Sequence, residues 1–148
     1  MSPAGRFGSR SGSSLVEFSV TGLMTILMML FVVEMGRIVL VCLTMANAAR
    51  AGVRYAIVHG STRATGSTIN SASGPANNPT EVVTVTKNFA SAAPITLSLL
   101  VITVTYPNSS NAPGQPVSVS IVYPYDPLTT YFAKTLRLGS AAEGIIVF

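Results

Sequence analysis

From Ser13 to His59 the chain contains no proline. A proline in a helix interior removes a backbone donor and clashes with the preceding turn, so its absence lets one helix run without a break. Inside this stretch, Phe18 to Val33 carries no charge and is dominated by Leu, Met, Val and Ile. With Ser14–Val16 it comes close to the ~20 residues that span a bilayer core. At about 1.5 Å per residue the whole helix would reach about 65–70 Å. A hydrocarbon core is about 30 Å thick. The sequence therefore predicts one helix over 13–59, crossing a membrane with about 14–36 and protruding beyond it.

The protruding half has a different pattern. Ile38, Val41, Cys42, Met45, Ala49 and Val53 recur at three- and four-residue steps, which draws one apolar stripe along a helix. Arg37, Asn47, Arg50 and Arg54 fall mostly elsewhere. Such a stripe packs on the chain's own domain or on neighbouring subunits, and the two uses are compatible. Glu34 and Arg37 are three apart, so they can meet on one face and offset each other's charge.

Composition supports a chain partly in lipid. Of 148 residues, 49% are hydrophobic and 9% charged, against about 25% charged in an ordinary soluble domain. The net charge is +4 and the basic residues are scattered, without the clustering that a nucleic-acid partner requires. The one cysteine, Cys42, has no second thiol to pair with, and the one histidine, His59, has no ligand pattern around it. Both read as structural, with no metal and no cofactor expected. Arg6 and Arg10 precede the span with no acid before Glu17, which favours an N-terminus in the cytoplasm. Arg37, Arg50 and Arg54 on the other side weaken that count, but translocated domains cross largely regardless of charge.

Glu17 is the anomaly, a carboxylate at the head of the apolar helix. A charge there is tolerated when it is paired. The plainer alternative is an interfacial residue at the helix start, favoured by the positive end of the helix dipole. The context is Gly12-Ser13-Ser14-Leu15-Val16-Glu17-Phe18, after a short basic leader, residues 1–12, expected to be disordered. This resembles the type III signal of pilins and pseudopilins, which a prepilin peptidase cuts after the glycine. By that resemblance cleavage would free the amine of Ser13 and make Glu17 the fifth residue of the mature chain. The amine of a neighbouring subunit would then be a cation for Glu17 to pair with, and the pair would favour one axial register between helices.

The likeness extends further. Val16-Glu17-Phe18, then Glu34, Gly36 and Arg37, then Asn47-Ala48-Ala49-Arg50, Gly52 and Arg54 follow in order and spacing the pattern of the TadE-like family of the tight-adherence (Flp) pilus system. The match covers about a third of the chain. A Ser-Ser start stands where many members carry alanines. The resemblance implies a pseudopilin component of a Tad-type pilus or related secretion apparatus. Processing would fall at Gly12 and Ser13, and Glu17, Phe18, Glu34 and Arg37 would serve assembly. It further implies a prepilin peptidase, a pilus assembly platform, other pilin-like subunits and membrane lipid as partners. The setting would be the cytoplasmic membrane, crossed once, with the C-terminal domain outside and incorporation into an extracellular pilus open.

The distal half predicts a small domain. Residues 60–78 are rich in Ser, Thr, Gly, Asn and Ala and read as a loop. Asn78 as N-cap, Pro79 as first helical residue and Glu81 three after the cap resemble a capping box. Val82, Val85, Phe89 and Ala93 would form the buried face of a short helix ended by Pro94, although its β-branched content also suits a strand. Two β-rich runs, 97–107 and 115–124, flank turn residues and read as a hairpin. Val117, Val119, Ile121 and Tyr123 would lie on one face, with Ser118 and Ser120 on the other. Pro124 and Pro127 should limit any further ladder, and 134–148 would return as a last strand or two. Tyr106, Tyr123, Tyr125, Tyr131 and Phe132 would pack the sheet or, alternatively, form a partner patch. The expected class is α+β: a long transmembrane helix continuing into a small antiparallel sheet over 79–148.

No arrangement of catalytic residues is legible, so an enzyme is not expected. Two other functions compete with a pilin-like subunit. One is an unprocessed single-pass protein whose outer domain binds a ligand. The other is a secreted domain released near Ala48, since Ala46-Asn47-Ala48 fits a signal-peptidase pattern. The preceding segment is, however, far longer than a secretory apolar region of about 7–15 residues.

Overall fold

The computed structural model describes residues 10–61, 79–128 and 135–147. Helix α1 runs Arg10–Val58 and helix α2 Thr80–Ala90. A single 3-10 turn, Leu97–Leu99, leads into strands β1 (Val101–Thr105), β2 (Pro116–Tyr125) and β3 (Leu136–Ile145). The chain divides into two compact units, Met1–Gly36 and Arg37–Phe148. This is the α+β arrangement expected, a long apolar helix followed by an antiparallel sheet.

The described part of the first unit is helical throughout. Its apolar side chains face outward on every side, with Phe18 78% and Met28 72% exposed. A helix that is apolar all round requires an apolar surrounding. Two hydroxyls in this segment are satisfied by the helix itself: Ser19 Oγ donates to Leu15 O at 2.8 Å and Thr25 Oγ1 to Thr21 O at 2.9 Å. Such back-bonding removes the cost of a polar group in hydrocarbon. Helix α1 already begins at Arg10, so the last residues of the expected leader are helical; residues 1–9 lie outside the described residues.

The second unit is built on the expected stripe. Val41, Met45, Ala49 and Val53 are buried, joined by Ala48 and Ala56, with Ile38 and Cys42 packed against them. The sheet is a meander, β1-β2-β3, antiparallel throughout. Its register places Ile102 opposite Ile121 and Val104 opposite Val119 on one side of β2. On the other side, Val119 faces Ala142 and Val117 faces Gly144. The inner face of β2 is the alternating set Val117, Val119, Ile121, Tyr123, and all four are buried. Each such side chain fully removed from water contributes about 1.5–3 kcal/mol.

Small residues on β3 let α1 come close. A Cβ at Gly144 would lie 2.5 Å from Ile57 Cδ1 and 2.7 Å from Val53 Cγ1. The end of the chain is tied to the end of the helix by Val147 N–H, which donates to Ile57 O at 3.1 Å. The hairpin loop is tied there too, through Ser61 N–H to Asn111 O at 3.0 Å. Gly114, at φ +83°, turns that loop into β2 in a conformation that favours glycine.

Several details depart from expectation. Pro79 occupies the N-cap position of α2 instead of its first helical position, and makes no side-chain cap; Asn78 lies outside the described residues. The buried face of α2 is Val82, Thr86 and Ala90, whereas Val85 is half-buried and Phe89 is 55% exposed. Strand β2 continues through Pro124, which pairs with Arg137, to Tyr125. It can do so because the β1 ladder ends at Val101↔Val122, leaving no partner strand beside Pro124 on that flank. The final segment forms one strand, β3, within the one or two expected. Tyr106, Tyr123 and Tyr125 are buried in the core and so cannot be a surface patch; Tyr131 and Phe132 lie outside the described residues, as does most of the expected loop.

Candidate processing and assembly site

All six candidate residues lie on α1, and the helix spreads them along its length. Gly12 is in the first turn. A Cβ built there meets nothing within 4 Å, and the same holds at Gly22 and Gly36. Glycine in a helix interior costs about 0.8–1.0 kcal/mol relative to alanine. No described neighbour therefore requires glycine at residue 12. Ser13 follows it, exposed.

Glu17 and Phe18 are exposed one turn further on. With α1 starting at Arg10, no acidic residue falls in its first turn. The dipole effect fades beyond that turn, so in this chain a helix-start role explains Glu17 poorly. Ser13 and Glu17 are four apart and share one face of the helix.

Glu34, in the first unit, is buried at 7% exposure. Arg37 opens the second unit, and its guanidinium carbon lies 5.6 Å from the centroid of the Tyr125 ring at the end of β2. That geometry is a cation–π contact, and it gives Arg37 a duty in holding the distal domain. Cys42 is a free, half-buried thiol in the packed stripe. His59 Nδ1 is 2.7 Å from Tyr55 O. A carbonyl only accepts, so Nδ1 carries the proton.

Residues that the sequence reading left apart come together elsewhere. Arg50 and Arg54, Tyr55 and His59 on or just after α1, with Val85 and Phe89 on α2, line an open groove of about 580 Å³. The sequence signals were the position of Asn47, Arg50 and Arg54 away from the apolar stripe and their place in the TadE-like pattern. Nothing in the sequence joined them to Phe89 across the intervening loop.

The rival cleavage at Ala46-Asn47-Ala48 meets a physical obstacle. Ala48 and Ala49 are fully buried in the middle of α1's packed stripe, so a cut there would divide the helix on which the distal domain is built.

No curated protein and no solved structure matches the chain. A family model described as TadE-like protein matches residues 12–54. That match opens on Gly12, closes on Arg54 and lies wholly within α1. Over residues 12–54, under a third of its length, the chain is similar to the TadE-like family, the one its motifs resemble.

Proposed function

We propose that the chain is a pilin-like subunit of a Tad-type pilus or a related secretion apparatus. The first unit of α1 is its anchor in the cytoplasmic membrane, with the N-terminus inside and the α+β domain outside. A prepilin peptidase cuts after Gly12, and the exposed apolar helix then packs against the helices of other pilin-like subunits on the assembly platform. The observation that carries this reading is a coincidence of limits. The TadE-like match begins at Gly12, at the head of a helix whose apolar side chains are exposed on all sides. Neither the glycine nor the exposed apolar surface serves the chain's own packing.

In this reading Glu17 is an assembly determinant. The freed amine of Ser13 on one subunit pairs with Glu17 of the next, which fixes their axial register and spares both charges the cost of standing alone in lipid. Phe18 and Glu34 also serve assembly, and Arg37 joins the helix to the sheet.

The test is the N-terminus of the protein recovered from the cell envelope, by intact mass and terminal sequencing. A chain beginning at Ser13, and left uncut when Gly12 is replaced by Leu, supports the proposal. A chain that keeps Arg6 and Arg10 overturns it in favour of an unprocessed single-pass protein with an outer binding domain.

A further inference from the structure

We infer that the groove between the end of α1 and α2 is a docking site for an acidic peptide segment of a partner protein, one that carries an apolar or aromatic side chain beside its carboxylates. The two faces of α1 divide the work here. Ala48, Ala49, Gly52, Val53 and Ala56 are buried in the core. Arg50 and Arg54, one turn apart, are on the other side and exposed, and they hold no ion pair among the described residues. Two guanidinium groups on adjacent turns form a fork suited to carboxylates.

Among the described residues no acidic side chain neutralises this pair. The acidic side chains are Glu17, Glu34, Glu81, Asp126 and Glu143. None of them lines the groove. Residues 62–78 add an arginine and no acid. Charge complementarity must therefore come from another molecule.

The rest of the groove selects what carries that charge. Tyr55 and His59 stack with ring centroids 3.8 Å apart and planes 16° from parallel. Val85 and the exposed ring of Phe89 form the opposite wall. An apolar or aromatic side chain between these walls gains area burial and ring contacts. A concave site of 300–1,000 Å³ with apolar walls and a few polar groups fits an inserted segment. The inference does not depend on cleavage at Gly12.

The test uses the full chain in phosphatidylcholine nanodiscs, panned with a phage-displayed library of random dodecapeptides. Enriched peptides are expected to place Asp or Glu next to Phe, Tyr or Leu. Synthetic copies should bind R50E/R54E at least ten-fold more weakly, and Phe89→Ala several-fold more weakly. Both changes are at exposed positions, and an unaltered circular dichroism spectrum confirms the fold; R50Q/R54Q serves if the charge reversal disturbs it. The proposal is overturned by an enrichment without acidic residues, by no enrichment, or by equal binding to wild type and R50E/R54E. It is also overturned if phosphatidylglycerol vesicles bind through Arg50 and Arg54 while the acidic peptides do not.

Discussion

Gly52 and Thr86 are in such close approach that a Cβ on residue 52 would overlap Thr86 Oγ1. The threonine is held in place, because its hydroxyl donates to Val82 O at 2.7 Å within α2. The next nearest atoms to that Cβ are Val119 Cγ1 at 3.4 Å and Thr86 Cβ at 3.5 Å, both ordinary contacts. The missing side chain of Gly52 thus sets how near α2 lies to α1. Gly52→Ala should lower stability by about 1–3 kcal/mol, the usual cost of overpacking a core. Pairing it with Thr86→Ala removes the clashing hydroxyl and should recover part of the loss. Thermal unfolding of the detergent-solubilised chain, followed by circular dichroism, measures both. Equal midpoints for Gly52→Ala and wild type would show that the helices are not in contact there.

The same threonine explains which face of α2 is buried. Val82, Val85 and Phe89 fit a helical stripe as well as Val82, Thr86 and Ala90 do, and hydropathy favours the first set. The second is buried, because Thr86 satisfies its hydroxyl internally and meets the space left by Gly52. Val82→Ala should therefore cost about 1–3 kcal/mol, as a buried large-to-small change does. Phe89→Ser should stay within about 0.5 kcal/mol, as exposed substitutions usually do. Urea denaturation of the two variants separates the faces, and the reverse ranking would mean that α2 is rotated.

These cases mark what the sequence can and cannot express. The stripe Val41, Met45, Ala49, Val53 and the alternation Val117 to Tyr123 were legible because each repeats over several turns or residue pairs. One periodic pattern then outweighs any single side chain. Pro124 was misleading because the effect of a proline in a strand depends on whether a neighbour is present to miss its N–H, and that is set by where β1 stops. The candidate residues of α1 were legible as a linear motif, since a helix keeps linear order. The groove was not, since Arg50 and Phe89 meet only through the packing of α2.

Tyr106 and Glu81 form a second telling pair. The Tyr106 hydroxyl and Glu81 Oε2 are both buried with no hydrogen-bond partner among the described residues. Burial raises the Tyr106 pKa above its ordinary value of 10.0, and the nearby Glu81 charge raises it further. Above pH 10.0 the unfolded chain loses this proton while the folded chain keeps it, so folding stability falls as pH rises through the two values. Tyr106→Phe removes that proton and an unsatisfied hydroxyl together. It should leave stability at pH 7 unchanged or raise it by up to about 1 kcal/mol, and it should flatten the decline above pH 10.0. Denaturation midpoints of wild type and variant from pH 8 to 11.5 test this; parallel curves would remove Tyr106 from the alkaline transition.

Glu17 tests the assembly reading itself. The residue is exposed, lies beyond the first turn of α1 and follows Gly12 by five positions. If its carboxylate pairs with the Ser13 amine of a neighbour, Glu17→Ala should be cut after Gly12 as efficiently as wild type, because the residue is not at the scissile bond. Association should fail instead, since the neighbour's amine would then stand unpaired in lipid, and an unpaired buried charge is costly. Glu17→Asp should recover part of the association, its shorter carboxylate reaching the amine less well, while Glu17→Gln should not. Mass spectrometry reads the processing, and cysteine cross-linking between helices in the cell envelope reads the association. Wild-type cross-linking by Glu17→Ala would leave the helix surface without an electrostatic register and return assembly to the apolar side chains alone.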